Sequence, residues 1–208
     1  MGRDFEQYIQ ELNQIGGISF HCDVMDGIWC ERKAMSMDQY IHLMKTAKHP
    51  VDVHLMINRP DLRKVNTYIS VAAGPPRSLS IHAEIFTART IVNLLRAIKT
   101  AKAQAGIVID LPTDIATIDK KILNTADVIT IMSVKAGKSG QTFNDAAIQK
   151  IKYIRENYPN KCLVVDGGVD QSIAQTLKNL GVSTAVMGSA VYNIEDRKGL
   201  IACLGRDG

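Results

Sequence analysis

Gly17-Ile18-Ser19-Phe20-His21-Cys22-Asp23-Val24-Met25-Asp26-Gly27 begins as a β-type run and turns polar where such a run should end. Side chains alternate across a strand, so His21, Asp23 and Met25 share one face while Cys22 and Val24 share the other. An imidazole and a carboxylate on one face near a strand end can ligate a divalent metal. The same pair can equally be a buried hydrogen bond that fills a polar vacancy in a core. This stretch alone leaves both readings open, and its neighbours decide between them.

Working outward, the pattern predicts a helix over 4–15, with Phe5, Ile9 and Leu12 at helical spacing and Gly16-Gly17 as its stop. A strand over 18–23 follows. A helix over 36–48 has Ser36 as N-cap and Met37, Ile41 and Met44 as its apolar stripe, and Pro50 ends it. Strands are then expected over 51–57, 78–82, 105–110, 127–132, 161–166 and 184–187. The helices between and after them fall near 60–72, 87–103, 114–124, 143–157, 170–180 and 194–204.

Strict alternation of short β-branched runs with helices implies a parallel sheet covered by helices. An open doubly wound sheet and a closed (β/α)8 barrel both satisfy it. No G-x-G-x-x-G follows the first strand, which removes the best support for a dinucleotide fold. Asp23, His54, His82, Asp110 and Asp166 sit at the C-terminal ends of different strands. A barrel gathers those ends around one mouth, so the expected fold is a TIM (β/α)8-type barrel. The strand count is one short of eight, so the first barrel strand is expected to be missing from the chain.

The 208 residues fit a single domain over 1–208. A net charge of +4 with both signs interspersed gives no indication of nucleic-acid binding and suits a small anionic substrate. No apolar run approaches the roughly 20 residues that span a bilayer, and the N-terminus lacks the apolar core of a signal peptide. Cys22, Cys30, Cys162 and Cys203 are scattered without a C-x-x-C pair, which argues against a zinc knot or disulfide scaffold. Cys22 and Cys162 read as reduced core residues, and the expected compartment is the cytoplasm.

Three constellations carry chemistry. His21, Asp23, His54 and Asp166, all at strand ends around one mouth, make a candidate site for one divalent ion, zinc, iron, manganese or cobalt. Gly137-Lys138-Ser139-Gly140, Gly167-Gly168 and Gly188-Ser189 follow late strands and precede helices. Glycine there lets backbone N–H groups approach a phosphate, which barrels commonly hold in those loops. Met25, Met56 and Met132 face the same mouth, either as soft core filler or as an apolar wall around a reactive intermediate.

With those motifs in place, the chain resembles the ribulose-phosphate 3-epimerase family. The resemblance rests on His21–Gly27, Asp52-Val53-His54-Leu55-Met56, Met132-Ser133-Val134 with Gly137–Gln141, Val165-Asp166-Gly167-Gly168-Val169 and Gly188-Ser189-Ala190, in family order over 4–192. It implies a metal-dependent isomerase of carbohydrate metabolism and the pentose phosphate pathway, which interconverts ribulose 5-phosphate and xylulose 5-phosphate through an enediolate. It also implies His21, Asp23, His54 and Asp166 as metal ligands and Asp23 and Asp166 as the acid–base pair. His54, the three methionines and the glycine loops with Lys138, Ser139 and Ser189 would contact substrate.

Several stretches depart from the family pattern. No counterpart of its opening, Ser-bearing strand precedes Asp4. Ile28-Trp29-Cys30-Glu31-Arg32 replaces an aromatic-Val-Pro-Asn run, Lys135–Gly140 replaces Asn-Pro-Gly-Phe-Gly-Gly, and Asp110-Leu111 replaces Asn-Pro. A hexulose 6-phosphate is the alternative substrate. The rival activities are a Schiff-base aldolase using Lys135 and a non-catalytic sugar-phosphate binder. The unpaired edges of a barrel short of a strand favour either a covering partner chain or poor solubility, and a homo-oligomer is expected.

Overall fold

In the computed structural model, which describes residues 4–71, 74–137, 140–194 and 196–205, helices and strands alternate throughout. The helix α1 (Phe5–Leu12) leads into β1 (Phe20–Asp26) and a short β2 (Lys33–Ala34). Then come α2 (Met37–Thr46), β3 (Val51–Met56), α3 (Leu62–Ile69), β4 (Ser78–His82), α4 (Ala88–Thr100) and β5 (Gln104–Ile109). A 3-10 turn (Ile115–Thr117) and α5 (Lys120–Thr125) precede β6 (Val128–Met132), α6 (Ala146–Asn157), β7 (Cys162–Asp166) and α7 (Gln171–Asn179). The chain continues through β8 (Thr184–Val186), α8 (Ser189–Asn193) and α9 (Arg197–Gly205).

The strands form one sheet in the order β2-β1-β3-β4-β5-β6-β7-β8, parallel except for β2. This is a TIM-type arrangement curled into an incomplete barrel. Among the described residues no ladder joins β8 to β1, so the expected unfilled barrel position lies between them. On that side β1 carries only β2, through Met25↔Ala34 and Asp26↔Lys33. A cavity of about 820 Å³ opens there, with His21 and Asp23 on one wall, Thr184 and Val186 on the other, and Ser80 and Thr130 between.

Strand alternation divides the residues into two sets. Cys22, Val24, Val53, Leu55, Leu79, Ile81, Ile107, Ile129, Ile131, Leu163 and Val165 point outward into an apolar shell shared with Ile9, Tyr40, Val65, Ile91, Leu95, Ile151 and Leu177 of the helices. Their burial supplies the main drive for folding. Burial also pushes the Cys22 thiol pKa up, so it stays a protonated core residue. The opposite set, including His21, Asp23, Ser78, Ser80 and Thr130, lines the concave interior. Cys162 belongs to this inner set and is half-buried rather than a core residue.

Aspartate and serine caps fix where loops become helices. Ser36 Oγ accepts from the Gln39 N–H while the Gln39 side chain accepts from the Ser36 N–H, the reciprocal capping box. Asp61, Asp119 and Asp170 cap α3, α5 and α7 from one side only, each accepting from a backbone N–H of the first turn.

Four departures from the sequence reading go beyond small shifts at helix ends. The first strand runs to Asp26, because pairing with β3 from Phe20↔Val51 to Met25↔Met56 continues through the polar residues. β2 is too short to show alternation in sequence. The segment expected as one helix over 114–124 is divided, because Asp114 and Asp119 each cap a separate start. The helix expected near 194–204 is α9, and an unexpected short helix, α8, precedes it, separated by the extended backbone of Ile194.

Candidate metal and active site

Three strands bring the proposed ligands together. The register sets Asp23 beside His54 across β1 and β3, and Asp166 ends β7 on the far side of the opening. His21 Nε2 lies 3.3 Å from Asp23 Oδ1 and 3.4 Å from Asp166 Oδ2. His54 Nδ1 lies 3.3 Å from each of the same two oxygens. All four donor atoms fall within 4.8 Å of one another. Imidazole and carboxylate therefore alternate around a ring, with the two aspartates at opposite corners.

The distances bear on whether this is a hydrogen-bonded core pair or a cation site. Charge-assisted N–H···O bonds measure about 2.7–2.9 Å, and these contacts are longer. His21 Nε2, Asp23 Oδ1 and His54 Nδ1 are buried and make no hydrogen bond. A cation bound at about 2.0–2.2 Å spaces neighbouring N and O donors roughly 3.0–3.5 Å apart. The spacing and the orphaned donors thus fit a divalent cation better than mutual pairing.

Electrostatics point the same way. Burial opposes charge on His21 and His54, but the Asp166 and Asp23 carboxylates prevail, holding His21 well above the ordinary imidazole range and His54 above it. Burial likewise opposes charge on Asp23 and Asp166, and the two imidazoles hold both carboxyls below their usual range. The paired carboxylates make an anionic hole that draws protons or a cation. His54 is the closed corner at 1 % side-chain exposure, and Asp23 is the open one at 41 %.

Surrounding groups fix these positions. The Ser133 N–H donates to the Asp166 carbonyl at 2.8 Å and the Ser133 hydroxyl at 3.0 Å, pinning the strand end that carries Asp166. Asp26 accepts from the N–H groups of Ile28, Trp29 and Asn58 at 2.8, 2.9 and 2.8 Å, tying the loop after β1 to the loop after β3. Met56, Met132, Val108, Val134 and Ala136 form a separate buried cluster, against which Met25, Trp29 and Cys30 pack.

The glycine loops divide into two groups. Gly167 and Gly168 both have positive φ, +113° and +63°. A Cβ on Gly168 would stand 2.3 Å from the Phe143 amide nitrogen and 2.8 Å from the Gln141 carbonyl. Only glycine lets the loop after β7 lie so close against the loop after β6. Gly137 packs on Cys30, whereas Gly140 has open space around its Cα. Gly188 and Ser189 lie at the exposed start of α8. Lys138 and Ser139 lie outside the described residues.

Lys135 is exposed at the end of β6 and takes no part in the four-residue ring. A Schiff-base lysine needs a dry pocket or a neighbouring cation to activate it, and this setting supplies neither burial nor a place in the ring. In sequence His82 counts only as one of the polar strand ends that favour a barrel, and Glu84 is not singled out. His82-x-Glu84 repeats the spacing of His21-x-Asp23 at another strand end, a signal already present in the sequence. His82 is buried and packs between Trp29 and His54, at ring-centroid distances of 4.9 and 5.0 Å.

Residues 2–192 match the family model described as the ribulose-phosphate 3 epimerase family. The ribulose-phosphate 3-epimerase of Aquifex aeolicus is 30 % identical over 91 % of this chain and 84 % of its own length. The Bacillus subtilis enzyme of the same name is 30 % identical over 93 % of this chain and 88 % of its own. Among solved structures, the 3-hexulose-6-phosphate synthase of Salmonella typhimurium superposes with a TM-score of 0.73 at 13 % identity, covering 99 % of this chain and 94 % of its own. That likeness speaks to the barrel alone. With a profile match across nearly all of its length and relatives aligned over most of theirs, the chain belongs to the ribulose-phosphate 3-epimerase family.

Proposed function

We propose that the protein is a metal-dependent ketose-phosphate 3-epimerase that interconverts ribulose 5-phosphate and xylulose 5-phosphate. The observation that carries this reading is the ring of alternating donors, which sets the Asp23 and Asp166 carboxylates at opposite corners. Inversion at a carbon needs one base on each face of the plane that forms when its proton leaves. One aspartate removes the C3 proton, and the other delivers a proton from the opposite side. Running the reaction backward exchanges their roles.

His21, Asp23, His54 and Asp166 would hold the divalent ion. When bound, it supplies the positive charge that stabilises the oxygen turning anionic as C3 loses its proton. His21 and His54 keep their ring nitrogens aimed at the ring centre, and His54 is shielded from water. The methionine cluster with Trp29 limits water at the reacting carbon. Backbone N–H groups of the loops at Gly137, Gly140, Gly167–Gly168 and Gly188–Ser189 would take the phosphate, with Lys138 and Ser139 as further candidates in the same loop.

The test is an epimerase assay in deuterated water, with metal restored, on both pentulose 5-phosphates and hexulose 6-phosphates. The expected result is deuterium incorporation at C3 of a pentulose 5-phosphate, lost on chelation and recovered with metal. No exchange on any of these substrates with metal bound would overturn the enzymatic reading.

A further inference from the structure

The interior of the barrel holds one more line of polar groups that the proposed reaction does not use. His54 Nε2, the ring nitrogen turned away from the four-donor ring, lies 2.9 Å from His82 Nε2. The other nitrogen of His82, Nδ1, faces Glu84 Oε2 at 3.4 Å and has no hydrogen bond. Glu84 is anchored from its second oxygen, Oε1, which accepts from the Asp110 N–H at 2.9 Å and the Thr113 hydroxyl at 2.6 Å. His54 and His82 are both buried, and Trp29 lies over the His82 ring.

Two imidazole nitrogens 2.9 Å apart share one proton, so one donates and the other accepts. A carboxylate can only accept, and Glu84 therefore favours a proton on His82 Nδ1. His82 Nε2 is then the acceptor, and His54 Nε2 must be the donor. The only lone pair left on His54 is at Nδ1, which is the atom that faces Asp23 and Asp166.

We propose that Glu84 and His82 are positioning residues: through a relay that is electrostatic from Glu84 to His82 and hydrogen-bonded from His82 to His54, they fix the tautomer in which His54 Nδ1 presents its lone pair to a cation. The relay rests on the metal site of the proposed function, although the tautomer itself is a property of the metal-free protein. Partners of this kind on metal-ligating histidines orient the ring and typically contribute 10–100-fold in metal affinity.

Glu84→Gln tests the idea with almost no change of shape. The Asp110 N–H and Thr113 hydroxyl keep the amide oxygen on their side, which turns the new NH2 toward His82 Nδ1. That nitrogen must now accept, His82 carries its proton on Nε2, and His54 Nε2 is forced to accept in turn. The proton of His54 then sits on Nδ1, where the cation should bind.

Two measurements read this. In metal-free protein, above the titration of His54, 15N NMR of the His82 ring should show the proton on Nδ1 in the native chain and on Nε2 in Glu84→Gln. Calorimetric titration with Zn²⁺ and with Mn²⁺ should show affinity lower by about 10–100-fold in Glu84→Gln, at an unchanged urea midpoint. His82→Gln offers His54 an amide oxygen whatever residue 84 is, so adding Glu84→Gln to it should cost less than about threefold. An unchanged His82 tautomer in Glu84→Gln, or an equal loss of affinity with and without His82→Gln, overturns the relay. Failure of the native protein to bind either metal would sink the metal site, and the NMR result would still decide the relay separately.

Discussion

Replacing Gly168 with alanine tests how closely the loops after β6 and β7 must approach each other, and Gly140→Ala is its internal control. Both glycines have left-handed backbone, with φ of +63° and +75°. An alanine pays about 1–2 kcal/mol for that conformation at either place. At Gly140 the described residues add no other cost, since none of their atoms lies within 4 Å of the new methyl. At Gly168 the methyl would lie 2.3 Å from Phe143 N, 2.7 Å from the Thr142 carbonyl carbon and 2.8 Å from Gln141 O. All three are backbone atoms, so no side chain can swing aside and the loop itself must move. Overpacking of this kind adds typically 1–3 kcal/mol, bringing the total for Gly168→Ala to about 2–5 kcal/mol. With a urea slope of about 2 kcal/mol/M, the midpoint should fall by about 0.5–1 M in Gly140→Ala and about 1–2.5 M in Gly168→Ala. Urea unfolding followed by circular dichroism gives both midpoints. Gly168→Ala should also raise KM for the sugar phosphate. Equal midpoint shifts in the two variants would refute the close-approach argument.

Asp23→Asn and Asp166→Asn should each lower turnover by about 10²–10⁴-fold, the usual contribution of a positioned acid or base. Either variant matching the native rate would remove that residue from the acid–base pair. Saturating divalent metal at about 100 times its Kd should stabilise the native protein by about 2.7 kcal/mol, read as a higher melting temperature that a chelator reverses. In the metal-free protein, Asp23 and Asp166 have lowered native pKa values. Their stabilisation is present above about pH 4 and is lost as pH falls through the native values. His21 and His54 have raised native values, so theirs is complete below about pH 6.5 and is lost as pH rises through those values. Melting temperature against pH should therefore fall on both sides, and His21→Gln should flatten the alkaline side; an alkaline side unchanged by that substitution would contradict the sign.

Most of the barrel can be read from sequence because each strand carries its two faces in plain alternation. Leu79 and Ile81 point to the helices while Ser78, Ser80 and His82 point inward, and no long-range information is needed to see it. The four ring residues are legible for the same reason, since the β period sets them on one inner face, although of the four only Asp166 ends its strand. Two kinds of feature are not legible. Gly168 looks like any strand-terminating glycine until the Phe143 backbone is found against it. Glu84 sits past its strand, and its importance lies in contacts to Asp110 and Thr113, partners 26 and 29 residues away that local pattern cannot supply.

The placement of the four donors also bears on how the incomplete barrel holds its shape. His21 and Asp23 belong to β1, an edge strand for most of its length, while Asp166 belongs to β7, one strand in from the opposite edge. The contact of His21 with Asp166 therefore spans the opening that no ladder crosses. A cation at the ring centre would join the two ends of the sheet by coordination where hydrogen bonds between strands are missing. Backbone pairing fixes the heights of Asp23 and His54 relative to each other, and the charges across the ring give that pair its direct link to Asp166, which the ladders reach only the long way round through β4, β5 and β6. The anionic character of the site thus has two consequences: it selects a cation, and without one it leaves protonated histidines as the link across the gap. Loss of the ion and deprotonation of His21 should accordingly loosen the same part of the molecule, the edge carried by β1, before they loosen the fully paired strands from β3 to β7.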